Sequence, residues 1–424
     1  MSQTLEYPLM AHDPRHISMN TQLSQSNELP ETGARRRKRY LMAAAIVLFL
    51  AFWPGYKWSV NRWIAHQKKV CSVAATLEDW NELEDAARAW LRWAPEDGAA
   101  WLYAAEAARG IGDFERTAAC LGEIPDSAPE CLQALSLRGD LLMSELHKPF
   151  EAERNWQRML KLDESAALPQ QRLIYLYAIT QQRAALLSQI QIAVAAHTEP
   201  REAYTYYCLA DRLLFSNGLV LTSTWLDANP GDEVLEVAKA IYSARSNSSR
   251  TLSMFRVGSA APGDQSLIDE LLEKYPHNLE VLAHHIARSI NDGNMKQVES
   301  LLKQIPPEAD SDSRFFRFQA WHYAARNQLA EAETACRQAL QLYPLDWRVR
   351  LELTSILRRQ GNSEEVAEAS ELALAGKELE RRLLEQPSAD SVEREVFIRM
   401  SNYCSRVKAG VIARGMEYRG VPTD

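Results

Sequence analysis

A spacing of 34 residues constrains this chain more than any other feature of its sequence. Gly293, Asn327 and Gly361 stand 34 apart, and so do Ser289, Tyr323 and Leu357. Val298, Ala332 and Val366 keep the same interval, as do Ile286, Ala320 and Thr354. Pro276 and Pro344 are 68 apart, twice the period. Within the unit 313–344, apolar residues recur at helical spacing, stop at Asn327 and resume until Pro344. This predicts a helix, a tight turn and a second helix. One such hairpin cannot bury its apolar face alone, so neighbours must stack. A generic bundle has no reason to hold one register through three units. The expected fold class is therefore all-α, a solenoid of helix hairpins.

The frame returns near the start of the body. Trp80 and Phe114, Ala87 and Leu121, and Trp90 and Ile124 are each 34 apart, and Pro95 closes a unit. These units resemble the tetratricopeptide repeat (TPR) family. Phe316, Ala320, Tyr323, Asn327, Leu329, Ala332, Ala339 and Pro344 match its pattern of large, small and helix-breaking positions. Trp101, Ala105, Gly112 and Phe114 match the first half of another unit. The resemblance implies a right-handed superhelix whose first helices line a concave, peptide-binding face. It also implies kinship with bacterial-type, single-pass membrane-anchored TPR proteins.

Between 126 and 276 the register drifts. Pro200 to Pro230 is 30 residues and Pro230 to Pro276 is 46. Hairpins are still expected there, one of them from a Tyr204–Phe215 helix and a Leu219–Leu226 helix. The surplus residues are expected in a Ser/Gly/Pro-rich insertion at 246–263, separating N-terminal hairpins (64–245) from C-terminal repeats (264–380). Residues 381–424 read as a capping helix and tail. Asp390 and Glu393 have capping-box spacing for a helix near 390–408, and 409–424 are expected to fray.

The N-terminus has a different character. Residues 1–39 form a polar stretch, read as disordered, that ends in the basic run Arg35, Arg36, Arg37, Lys38, Arg39. Residues 40–56 carry no charge. As a helix they reach about 25 Å. Snorkelling of Lys57 lets Trp58 and Val60 extend them toward the ~30 Å hydrocarbon core. Tyr40 marks one end and Trp53, Tyr56 and Trp58 the other, as in an aromatic belt. The segment ends Phe-Trp-Pro-Gly-Tyr rather than in the small residues of a cleavage site. A single transmembrane anchor at 40–60 is expected. The cations before it slightly outweigh Lys57, Arg62, Lys68 and Lys69 after it. That favours a cytoplasmic N-terminus and an extracytoplasmic solenoid at a cell membrane.

Chemistry is sparse. No phosphate-binding loop, zinc-protease, Cys-x-x-Cys or nucleophile-elbow motif is present. No interval between hairpins is long enough for a catalytic domain, so no enzyme activity and no cofactor or metal is expected. His284 and His285 are adjacent and point about 100° apart on a helix, a poor metal pair. The six cysteines are scattered; Cys120 and Cys131 are the pair close enough in sequence to bridge two helices. Lys+Arg total 48 against Asp+Glu 56, a net charge of −8 that argues against a nucleic-acid partner.

The family's groove positions fall here on Arg314, Arg317, Trp321, Arg348, Ser355, Arg358 and Arg359. Five arginines on one face of an acidic chain reverse the sign locally. Guanidinium groups bind carboxylates through paired hydrogen bonds. The expected partner is a protein or peptide of acidic character. The competing expectation is that these cations pair internally, with Glu352, Glu364 or Glu365. The functional expectation is a membrane-tethered interaction scaffold; the alternative is an assembly or quality-control factor of the cell envelope or secretion machinery. Oligomeric state is left open.

Overall fold

The computed structural model describes residues 32–245 and 265–419. The expected tail before 32, the insertion at 246–263 and the last five residues lie outside them. The chain divides into two compact units, Met1–Ala65 and His66–Asp424. Among the described residues every regular element is helical and no strand occurs.

Helix α1 spans Thr32–Leu77 and contains Pro54. The expected anchor at 40–60 falls on it, but the side chains of 40, 43–46 and 48–51 lie outside the described residues. Among the described residues no helix is long and apolar enough to cross a membrane.

The His66–Asp424 unit is a TPR-like stack of antiparallel helices. After the end of α1 come α2 (Trp80–Leu91), α3 (Gly98–Gly110), α4 (Phe114–Gly122), α5 (Cys131–Ser144) and α6 (Pro149–Leu162). Next are α7 (Ala167–Ile179), α8 (Arg183–Ala195), α9 (Glu202–Cys208), α10 (Gly218–Ala228) and α11 (Glu233–Arg245). Then follow α12 (Ser266–Lys274), α13 (Leu279–Asn291), α14 (Met295–Leu302), α15 (Ser313–Ala325) and α16 (Leu329–Leu342). The stack ends with α17 (Trp347–Gln360), α18 (Ser363–Leu384), α19 (Arg394–Arg406) and α20 (Gly410–Tyr418). Most helices pack on their predecessor and successor. The core is correspondingly serial. Leu282, Ile286, Val298 and Phe315 form one cluster, and Ala320, Ala332, Cys336, Val349 and Ile356 form the next.

Local rules explain the hairpins. Turns break at residues with positive φ: Gly293, Asn327 and Gly361, as the period predicts. Earlier in the chain Glu78, Gly112, His147 and Gln181 do the same work, 34, 35 and 34 residues apart. A left-handed residue ends one helix and frees the chain to start the next. Helix starts recur too. Asn278, Asp312 and Asp346, 34 apart, each accept a backbone N–H at an N-cap.

Four features differ from the sequence reading. Helices α11 and α12 share one apolar cluster built from Val237, Ile241, Ile268 and Leu271. The helices that flank the expected insertion in sequence therefore pack on each other. Helix α9 stops at Cys208 instead of reaching Phe215. Glu393 is the residue before α19 and makes no side-chain cap, so the Asp390–Glu393 box does not form. The 409–418 stretch is not frayed: α20 packs on α8 and buries Ile412, Ala413 and Met416. Gly415 sits so close to Val194 and Tyr204 that a Cβ there has no room. All six cysteines are free thiols, Cys120 and Cys131 included.

Candidate functional site

Early termination of α9 shapes the site. The end of a helix leaves carbonyls without intrahelical donors. The Tyr343 hydroxyl, just past α16, donates to the Tyr207 carbonyl at 2.6 Å and the Cys208 carbonyl at 3.3 Å. Gln181 donates to the Leu213 carbonyl at 3.2 Å. These bonds tie the end of α9 to the residue after α16 and the irregular stretch 209–217 to the α7–α8 turn, so that the stretch shares a cavity wall with α13 and α15, where the concave groove was expected.

Asp211 is the centre of that contact. One of its oxygens lies 2.5 Å from Arg183 Nε and the other 2.8 Å from Arg317 Nη1. Arg317 Nη1 also meets Asp346 at 2.5 Å. Arg183 reaches Asp312 at 3.1 Å and donates to Ser313 Oγ at 3.2 Å. Its guanidinium lies 5.0 Å from the Tyr343 ring centroid. Asp312 caps α15 and holds Arg314 at 2.6 Å, while Arg314 also forks onto both oxygens of Glu280 at 2.6 Å. Three arginines and four carboxylates thus form one linked cluster, in which Arg183 is 4% exposed and the Asp312 side chain 0%.

Burial alone pushes both aspartates upward. The charges of Arg183, Arg317 and Arg314 outweigh it at Asp211, whose pKa falls well below the ordinary value. Asp312 is lowered as well: burial raises it, and the charges of Arg314 and Arg183 prevail. Burial disfavours the charged forms of Arg314 and Arg317. Their carboxylates reverse the balance and hold both pKa values above ordinary arginine.

The other expected groove residues are dispersed. Arg348 forks onto Glu380 at 2.7 and 2.8 Å and lies 4.3 Å from the Trp347 ring centroid. Arg359 donates to the Ala324 carbonyl at 3.1 Å and Asn327 Oδ1 at 2.9 Å, closing the end of α15. Trp321 is half-buried against the α13–α15 core. Ser355 and Arg358 are exposed. The structure therefore joins Arg314 to Arg317, sets Arg348 beside them with its own partner Glu380, and leaves Arg358 and Arg359 outside the cluster. The carboxylates that answer the buried arginines are Asp211, Glu280, Asp312, Asp346 and Glu380, not Glu352, Glu364 or Glu365. Sequence reasoning missed Arg183 and Asp211, which lie more than 100 residues from their partners. A usable signal was present in Asp312 and Asp346, acidic caps at the repeat spacing.

A cavity of about 500 Å³ opens beside this cluster. Its wall includes 209–214, the α13 residues Ala283, His284, Ala287 and Arg288, and Arg245 at the end of α11. His284 is lowered to about 4 by burial, with Arg245, His285 and Arg288 adding to the shift, and is neutral at neutral pH. His285 lies 3.0 Å from the Ile268 carbonyl through Nε2, a core contact. The two imidazoles stand at 81° with centroids 5.5 Å apart. Among the described residues no cluster of three or more metal-ligating side chains occurs.

No protein-family model and no curated protein matches the chain. Among solved structures, the Cut9–Hcn1 hetero-tetramer of APC/C aligns at 12% identity and TM-score 0.31, covering 84% of this chain and 71% of that one. Yeast Tom70 aligns at 11% identity and TM-score 0.26, covering 90% and 92%. The TPR domain of P58(IPK) aligns at 12% identity and TM-score 0.22, covering 85% and 97%. Superpositions this loose carry no argument, and the description of the fold rests on the chain's own helices.

Proposed function

We propose that this chain is a non-catalytic, protein-binding scaffold that takes acidic segments and is tethered to a membrane through residues 40–60. One observation carries the binding half of the reading. The α15 face already receives a carboxylate from an irregular stretch, 209–217, through the pair of Arg317 with Asp211. This is the contact an external acidic peptide needs. Beyond the stretch, Arg358 and Ser355 remain exposed, and Arg348 keeps 31% of its side chain accessible. The test is a library of labelled acidic peptides titrated against the full chain in detergent. A hit is expected to bind at least about fivefold more weakly to the Arg348→Glu/Arg358→Glu variant. A library without binders, or a hit of unchanged affinity, contradicts the reading.

The tethering half draws support from the uncharged run 40–56 behind five cations. The exposure of Leu41, Met42, Val47 and Phe52 adds to it. Alkaline extraction of native membranes is expected to leave the chain in the pellet, and a variant lacking residues 40–53 in the supernatant. Extraction of the intact chain contradicts tethering. Protease access from each side of the membrane decides the orientation proposed from the flanking charges, N-terminus cytoplasmic and solenoid extracytoplasmic.

A further inference from the structure

The cavity beside Asp211 is lined by five arginines (212, 245, 288, 314 and 317) and two aspartates (211 and 292). Three of the cations are already answered. Arg314 holds Asp312 and Glu280, Arg317 holds Asp211 and Asp346, and Arg288 meets Asp269 at 2.8 Å. Arg245 and Arg212 differ. Among the described residues, no hydrogen bond or ion pair involves either guanidinium. Glu280 attracts Arg245 electrostatically, but both its oxygens are engaged by Arg314. Arg245 is half-buried, and that burial works against its charge. A cation enclosed in this way gains from any anion that can enter. Arg212 is exposed. Ala283, Ala287 and Phe318 add apolar wall. The volume lies within the ~300–1,000 Å³ of small-molecule sites.

We infer that this cavity binds a small, multiply charged oxyanion, an oligocarboxylate or phosphate compound, held by Arg245 and Arg212. Arg245 supplies the enclosed fork and Arg212 the second charge. Two cations without an ion-pair partner set a preference for an anion that can meet both. The site is separate from the peptide-binding reading and stands or falls without it.

The experiment is calorimetric titration of the full chain in detergent, at fixed ionic strength, with citrate, pyrophosphate and acetate. Citrate or pyrophosphate is expected to bind one per chain, and acetate at least about tenfold more weakly. Citrate alone assigns a carboxylate ligand and pyrophosphate alone a phosphate ligand; either supports the site. Arg245→Gln is expected to weaken binding about tenfold or more, the loss of one charge-assisted fork. Arg212→Gln, at an exposed position, gives a second variant with little risk to folding and is expected to weaken it severalfold. Arg337→Gln, away from the cavity, is expected to change nothing. Failure of both multivalent probes to bind, acetate binding as tightly as they do, or unchanged affinity in folded Arg245→Gln and Arg212→Gln overturns the proposal.

Discussion

The joint at Asp211 is made of charges, whereas the joint at α20 is made mostly of apolar surface. Both close the His66–Asp424 unit over long stretches of sequence. At the first, Arg183, Arg314 and Arg317 interlock with Asp211, Asp312, Glu280 and Asp346. At the second, Ile412, Ala413 and Met416 are buried as α20 packs on α8, and Tyr204 meets Phe397 edge-on with centroids 5.8 Å apart. One buried carboxylate, Glu199, is answered there by Arg419 at 2.5 Å and the Tyr204 hydroxyl at 2.8 Å. Apolar contact grows with area and tolerates changes of shape. A buried ionic joint adds little net stability as a set and loses much when one member goes. The difference teaches that the first joint selects which segment sits in the groove, while the second mainly supplies adhesion.

Four substitutions or conditions sharpen that contrast. The largest effect is expected from Asp211→Ala, which leaves Arg183 and Arg317 short of a partner. Chemical denaturation should show a loss of about 3–5 kcal/mol. Gly415→Ala forces a methyl group toward Val194 and Tyr204 and should cost about 1–3 kcal/mol in the same assay. Acid below about pH 4 should separate the two joints. Asp211 and Asp312 are both depressed in the folded chain, so their contribution is complete above the unfolded carboxylate range of about pH 4. It is lost as pH falls through their lower folded values, because protons then favour the unfolded chain. Hydrogen exchange at decreasing pH should open 209–217 before α20. Smallest of all, Arg337→Ala removes exposed pairs with Glu333 and Glu365 and should change stability by under about 1 kcal/mol.

The same contrast explains what the sequence could reveal. Hairpins 279–360 were legible because their turns fall on Gly293, Asn327 and Gly361, residues that adopt positive φ at low cost. The middle units carry His147 and Gln181 at the equivalent breaks, so the backbone repeats where the residue types do not. The length of α9 was misjudged because its apolar residues continue into Leu209, Leu213 and Phe215, buried in both the helix and the irregular stretch. Helix α20 is short, with two glycines, and depends on packing that local sequence does not announce. At the site, mapping by repeat position found Arg314 and Arg317 but not their partners. Arg183 and Asp211 join them through tertiary closure, which leaves no periodic trace.

The central claim is that Asp211 and Arg317 are energetically coupled across the groove. A double-mutant cycle with Asp211→Ala, Arg317→Ala and the double variant, read by denaturant unfolding, measures that coupling directly. The account predicts an interaction energy of about 1.5–3 kcal/mol, the range for residues sharing one buried network. Additivity within about 0.5 kcal/mol, the behaviour of independent sites, would contradict it.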